Sequence, residues 1–316
     1  MFKKIYCELI IPITITPEDA LLIKSSVATV TGPDSSFVKT YKNGKETPFL
    51  PGSSLKGVIR SQAEKIIRTI TEKTESCCLP YETKDIPEKS CGERFKSYEK
   101  KYKDEKRKVS SHDIYNYSCP ACKMFGSTYS KGHFSVSDAY TNETIHGELR
   151  DGVAIDRMTG GAVGSAKFNM EVINKGNFEA EIHLRNFESW QLGLLGFILK
   201  DINDGILRLG SGTSRGMGRI KIDIKEFKAI YYGKKPDTFT DIGELASNDE
   251  IERYGFYTTS NNPKLNLSSM TENPFRTVLN LNSQEQEEVF EWGAKNLGSY
   301  LKSSNWQKNI TEFTGK

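Results

Sequence analysis

The run Gly210-Ser211-Gly212-Thr213-Ser214-Arg215-Gly216-Met217-Gly218-Arg219 limits the fold more than any other part of the chain. Its four glycines let the backbone enter left-handed conformations that other residues avoid. Before it, residues 189–201 hold Trp190, Leu192, Leu194, Leu195, Phe197, Ile198 and Leu199, dense enough for a buried helix. After it, Ile220, Ile222 and Ile224 alternate with polar residues, the period of a half-buried strand. A helix therefore turns tightly into a sheet strand.

The same turn has a chemical reading. Exposed backbone amides can meet phosphate oxygens, and Arg215 and Arg219 can add charge-assisted bonds. Gly212, Thr213, Ser214, Arg215, Gly216 and Arg219 are thus candidate RNA-backbone contacts. The competing reading is geometric, with the glycines serving only the turn. No Gly-Lys-Ser/Thr follows, and the run precedes a strand, which excludes a Walker loop and a Rossmann fingerprint.

Upstream, residues 4–13 read as a first strand and residues 31–48 as a long polar loop. Pro51-Gly52-Ser53-Ser54 opens a helix that Ser53 or Ser54 can cap, with Leu55, Val58, Ile59, Ala63, Ile66, Ile67 and Ile70 at helical spacing. The free amides of a helix start favour anions. Ser53, Ser54 and Lys56, with Arg60 one turn on, form a second candidate phosphate site, or else an ordinary helix start. Strands follow within 134–137, 153–157, 166–173 and 177–184, with a hairpin turn at Met158-Thr159-Gly160-Gly161.

Strand, helix, strands, helix, strand is the order of an α+β sandwich of ferredoxin-like (RRM-like) type, with helices on one face of an antiparallel sheet. Residues 1–227 form this core, with an insertion at about 71–123. Residues 228–316 are a C-terminal extension: a polar stretch, 237–273, that reads as partly disordered, then an amphipathic helix over 283–301.

The insertion carries Cys119-Pro120-Ala121-Cys122, a knuckle with zinc spacing. Cys78 and Cys91 are its best partners for a structural Zn2+, with His112 and Cys77 as alternates, and Cys7 belongs to a strand core. A redox pair is the competing idea, but no thioredoxin-like βαβ unit surrounds it. The basic run 94–108 is a solvated face or, less simply, tracks phosphates. Asp34, in a glycine-bearing loop, is a turn residue on its own chemistry, although a carboxylate beside RNA can hold a divalent ion or take a proton from a 2′-hydroxyl.

The chain has 316 residues and a net charge of only +3, so nucleic-acid binding must come from local clustering. Six cysteines are too few for a disulfide scaffold of this size and suit a reducing compartment. No stretch has the length of a membrane span or the form of a signal peptide, so the chain reads as cytoplasmic.

Taken together and in order, the Pro51–Gly57 helix start, Cys119-Pro120-Ala121-Cys122-Lys123-Met124-Phe125-Gly126, Arg150-Asp151-Gly152-Val153-Ala154-Ile155-Asp156-Arg157-Met158-Thr159-Gly160 and the glycine turn resemble the RAMP superfamily. Closest in pattern is the repeated backbone subunit of type III CRISPR effector complexes, over roughly residues 1–227. The resemblance implies a modified RRM-like palm and a β-hairpin thumb, here about 150–173, whose Ile155, Arg157, Met158 and Thr159 meet RNA. It implies CRISPR guide RNA, target RNA, other subunits and further copies of the chain as partners. It also implies that a loop aspartate, here Asp34, cuts paired target RNA with Mg2+ or Mn2+. A binding-only subunit is the alternative, because Ser36 stands where the family often has proline. A repeat-processing ribonuclease would need a histidine or tyrosine near a phosphate turn, and none of His112, His133, His146 and His183 lies beside one in sequence.

Overall fold

The computed structural model describes residues 3–26, 32–42, 44–79, 90–101, 108–233, 236–259, 261–263, 265 and 270–303. In chain order, the palm begins with β1 (Cys7–Pro17), β2 (Lys39–Lys42), β3 (Lys45–Leu50) and α1 (Gly52–Thr71). The insertion follows with α2 (Cys91–Lys101), α3 (Ser111–Asn116) and α4 (Pro120–Phe125). Next come β4 (Phe134–Val136), β5 (Ala139–Tyr140), the hairpin β6 (Glu148–Ile155) and β7 (Ala162–Val172), then β8 (Phe178–Arg185), α5 (Ser189–Asn203) and β9 (Ile220–Ile224). The chain continues through β10 (Lys228–Tyr232), α6 (Ile242–Leu245), α7 (Asn248–Tyr254), β11 (Met270–Asn273), β12 (Arg276–Asn280) and α8 (Ser283–Lys302).

β1 is the axis of the sheet because Leu9, Ile11, Ile13 and Ile15 alternate toward one face and are buried. Each contributes about 2 kcal/mol by leaving water. β1 pairs with β8 from Glu8 to Ile15. Its other edge is divided, with β10 along Cys7–Ile10 and β9 along Ile13–Pro17. β4 and β5 flank the far side of β8. The core strands thus lie in the order β9, β1, β8, β4, all antiparallel, which is the split βαβ arrangement with the fourth strand beside the first. The α+β, ferredoxin-like palm is therefore present, with a cysteine cluster and a C-terminal helix.

α1 packs on β4, α5 on β9, and the two helices touch. α5 is apolar nearly all round because α8 covers its outer side. The crossing is tight: a Cβ on Gly193 would lie 2.2 Å from the Gly293 carbonyl oxygen, and one on Gly293 would lie 2.4 Å from the Gly193 nitrogen. Next to β9 on the same edge of β1, the sheet continues through β10 and β12 to β11. Residues 228–303 share the palm's hydrophobic core through Phe239, Val289, Leu297 and Leu301.

Two further local expectations change. Residues 31–48 are not all loop, since β2 and β3 pair antiparallel around Gly44, whose φ is +75°. The signal was the Asn43-Gly44 dipeptide, obscured by lysine-rich flanks. The stretch 237–273, read as partly disordered, is built over much of its described part. Ser247 and Glu250 form a capping box on α7, and Ile242, Tyr254 and Phe256 cluster with Tyr115 of the insertion. Extension and insertion therefore hold each other. No helix among the described residues is long and apolar enough to cross a membrane.

Candidate nucleic-acid interface and metal centre

The glycine turn is a short 3-10 turn, Thr213–Arg215, between left-handed glycines. Gly210, Gly212, Gly216 and Gly218 have φ of +83°, +78°, +82° and +86°. Two of them are also sterically required: a Cβ on Gly210 would lie 2.3 Å from the Leu22 oxygen, and one on Gly218 2.2 Å from the Leu209 oxygen. The turn is clamped to the segment after β1, since Ser211 N–H donates to Leu22 and Gly218 N–H to Ala20, each at 2.8 Å. Arg215 and Met217 donate back to Gly212. The exposed tip, residues 213–216, and the amides of Gly212, Thr213, Ser214 and Gly216 remain as candidate phosphate contacts. Arg219 is already ion-paired with Glu18 at 2.7 Å. Arg215 lies over the Phe168 ring, 5.7 Å from its centroid.

Phe168 belongs to the thumb. β6 and β7 form a separate two-stranded sheet, which Ser35 bridges at Met170, and most of β6 is exposed. Phe168 faces Gly152 across the ladder, and a Cβ there would lie 2.3 Å from the ring. At the tip, the Asp156 carboxylate accepts from Met158 N–H at 2.7 Å and Thr159 N–H at 2.9 Å. These bonds hold the Asp156 carboxyl below its ordinary range and fix the turn that presents Arg157 and Met158. Met158 is 96% exposed and Ile155 63%, an unusual display of apolar surface unless it meets a partner.

Asp34 is exposed and tied to the root of this hairpin. Its N–H donates to Asn169 Oδ1 at 2.8 Å, and Asn169 N–H donates to Asp34 Oδ2 at 2.8 Å. Three separate sequence features, the glycine turn, the thumb and the aspartate loop, thus converge on Phe168 and Asn169 of β7. Neither residue stood out in the sequence; the alternation along β7 carried the only signal.

The helix start is different. Pro51 is the N-cap and neither serine caps. Instead Asp138, after β4, accepts from Gly52 N–H at 2.7 Å. Gly52 is required because a Cβ would lie 2.6 Å from the Val136 oxygen. Ser54 and Leu55 donate to Pro51, and Lys56 Nζ reaches the Phe134 carbonyl at 3.3 Å. Arg60 points away from the helix start: it pairs with Glu64 at 2.9 Å, donates to the Gly126 carbonyl at 3.1 Å and approaches Cys122 Sγ at 3.6 Å. Ser53, which is exposed, keeps the most accessible polar group. Lys56, Arg60 and Lys131 nevertheless line one cavity of about 500 Å³. Burial and then the charges of Arg60 and Lys131 push the Lys56 ammonium down, so an anion there would favour its charged form.

That cavity abuts the cysteine cluster. Cys78, Cys91, Cys119 and Cys122 are buried, with their sulfurs all within 4.8 Å of one another. Cys78 and Cys122 sulfurs are 3.4 Å apart, and Cys119 and Cys78 3.8 Å. Tetrahedral zinc at about 2.3 Å from sulfur sets its ligands about 3.8 Å apart, so the donor set fits. Among the described residues this is the only group of three or more such ligands. Cys119 caps α4, accepting from Cys122 N–H at 3.5 Å. Hydrogen bonds from Cys122, Cys77 and Cys78 hold the Cys119 thiol well below its ordinary value, while bonding to Cys119 pushes Cys91 and Cys122 up. A dication would replace these shared protons. His112 is not a member: it stacks edge-on to Tyr254. Cys77 is buried beside the cluster, and Cys7 is core as expected. Of the basic run, residues 94–101 fall largely on α2 and residues 102–107 lie outside the described residues.

Lys123, next to the knuckle, is buried between the Tyr115 and Tyr300 rings. Beside it, Glu188 accepts from Tyr115 and from Tyr257 N–H. Burial pushes the Glu188 carboxyl up and the Lys123 ammonium down. This polar junction of knuckle, α5 and extension was not legible, because each residue looked ordinary in its own segment.

A sequence model of the RAMP superfamily matches residues 20–221. No curated protein matches the chain.

Proposed function

The chain belongs to the RAMP superfamily and so is a CRISPR-associated RNA-binding subunit; from that premise we propose that it is a backbone subunit of a type III effector complex that binds guide RNA and cuts paired target RNA. CRISPR RNA and other complex subunits are its partners. The convergence of the glycine turn, the thumb and Asp34 on β7 carries the finer reading. The Arg215 side chain and the amides of Gly212, Thr213, Ser214 and Gly216 grip guide phosphates, and the exposed Ile155 and Met158 wedge between bases. Ser53, exposed at the start of α1, meets a neighbouring phosphate.

A target nucleotide unstacked by the thumb can align for in-line attack. Its 2′-oxygen bonds to the adjacent phosphorus, the bond from phosphorus to the 5′-oxygen breaks, and the products are a 2′,3′-cyclic phosphate and a 5′-hydroxyl. Asp34 takes the 2′-proton, and water supplies the proton to the leaving oxygen; Asp34 would also hold a Mg2+ or Mn2+ ion, which would supply charge stabilisation at the phosphate. In the cysteine cluster, Zn2+ would serve structure alone.

The test is to purify the complex, sequence its RNA, and incubate it with magnesium and a matched target, as wild type and as Asp34→Ala. CRISPR-derived RNA, cuts at regular spacing and loss of cutting in the variant are the expected results. RNA of other origin would overturn the guide-binding reading. One observation favours a binding-only subunit: among the described residues Asp34 belongs to no group of three or more metal-type ligands. An intact target with wild-type complex would establish that reading.

A further inference from the structure

We propose that Asn169 is a positioning residue for Asp34, coupling the thumb to the cleavage centre. The inference rests on the nuclease reading above. Asp34 lies outside any regular element, in a loop whose glycine and proline neighbours do not fix a side chain. What fixes it is the reciprocal pair with Asn169: Asp34 N–H to Asn169 Oδ1, and Asn169 N–H to Asp34 Oδ2, both 2.8 Å. The ring restrains the aspartate backbone and one carboxylate oxygen together. No hydrogen bond among the described residues occupies Oδ1, which is left for a metal or the 2′-proton.

The attachment continues along the chain. Ser35 N–H donates to the Asn169 carbonyl at 3.2 Å, and Glu171 N–H donates to Ser35 at 2.9 Å, a parallel bridge in an otherwise antiparallel fold. The Glu171 carboxylate accepts from Phe37 N–H at 3.2 Å and pairs with Lys39 at 2.7 Å. One residue before Asn169, Phe168 carries Arg215. A single stretch of β7, residues 168–171, therefore fixes the phosphate grip on one side and the aspartate on the other, and the same strand runs out to the RNA-facing tip. Thumb engagement and carboxylate placement become one event. Among the described residues, the Asn169 side chain hydrogen-bonds only the Asp34 amide, so its removal opens the reciprocal ring and frees the Asp34 backbone, leaving the carboxylate on the Asn169 backbone N–H alone and the backbone ladder in place.

The experiment is single-turnover cleavage of matched target RNA by the assembled complex with magnesium, comparing wild type, Asn169→Ala and Asn169→Asp, alongside target Kd, guide-RNA content and Tm. Misplacing a reacting group by about 1 Å can cost on the order of 100-fold. Asn169→Ala should lose roughly 10- to 100-fold in cleavage rate, with Kd, guide content and Tm near wild type. Asn169→Asp, which keeps an acceptor at the same reach, should recover most of that rate. Wild-type cutting that Asn169→Ala leaves unchanged would overturn the coupling alone. Loss of guide RNA or of Tm in both variants would assign Asn169 to thumb folding and overturn the positioning role. A wild-type complex that binds target without cutting overturns the nuclease reading and this inference with it.

Discussion

The glycine turn and the start of α1 present the same chemistry: small residues, backbone amides and a nearby arginine. They use it in opposite ways. At the glycine turn, the amides consumed by the fold are those at its base, and the tip projects with Arg215 lying on the thumb. At α1, the interior consumes the groups that an anion would need. Asp138 takes the Gly52 amide, the Phe134 carbonyl takes Lys56, and Glu64, Gly126 and Cys122 take Arg60. One arginine lies exposed on the thumb and the other braces the interior. Identical functional groups acquire different roles according to whether the fold has already satisfied them.

That contrast is strongest where α1 leans on the cysteines. Cys122→Ser, or stripping the metal with a chelator, should have the largest effect on stability, on the order of 4 kcal/mol or more, because a closed thiolate site supplies folding energy to a segment with little core. Zinc content and Tm of the purified chain check it. A chain that holds no zinc and keeps its Tm would remove the bracing role from the α1 side.

Next comes the glycine turn itself. Gly218→Ala should destabilise by about 3 kcal/mol, since it combines a positive φ with a backbone clash. Gly216→Ala meets nothing within 4 Å and should cost about 1 kcal/mol from conformation alone. Denaturant unfolding of the two variants separates the base of the turn from its tip; equal losses would mean that the tip is structural as well.

The two arginines give the sharpest version of the comparison. Arg215→Ala should weaken RNA binding roughly tenfold and lower the salt dependence by about one counterion, with Tm unchanged. Arg60→Ala should do the reverse, lowering Tm with little effect on RNA affinity. RNA titrations at several salt concentrations read both, and a large affinity loss in Arg60→Ala would make the α1 side a true phosphate site. The smallest expected effect is Asp138→Ala, which removes the side chain bonded to the first amide of α1 and should cost about 1 kcal/mol in thermal or chemical unfolding.

Much of the palm could be read from local pattern. Isoleucine and leucine alternation along β1, β8 and β9, and the dense apolar run of α5, leave few alternatives once the glycine turn links α5 to β9. The four zinc-type ligands were also legible, because a Cys-x-x-Cys knuckle needs partners and Cys78 and Cys91 are the nearest cysteines upstream. The hairpin of β2 and β3 was missed because its strands are lysine-rich and two-sided, so burial gives no alternation to read. Asn169 and Phe168 were missed because their importance lies in what reaches them from residues 34 and 215, and no local spacing encodes that.

The sequence by itself determined which segments can bend, which can bury a face, and which carry thiols, amides and charges, since these depend on residue type and short-range spacing. Only the tertiary structure decided which of those groups are already spent. Hydrogen bonds to Asp138, Glu64 and Gly126 satisfy one candidate cradle, whereas bonds to Leu22 and Ala20 hold the other open against the thumb. Polar groups are functional when the fold leaves them unsatisfied at a surface, and satisfaction is set by contacts between residues far apart in the chain.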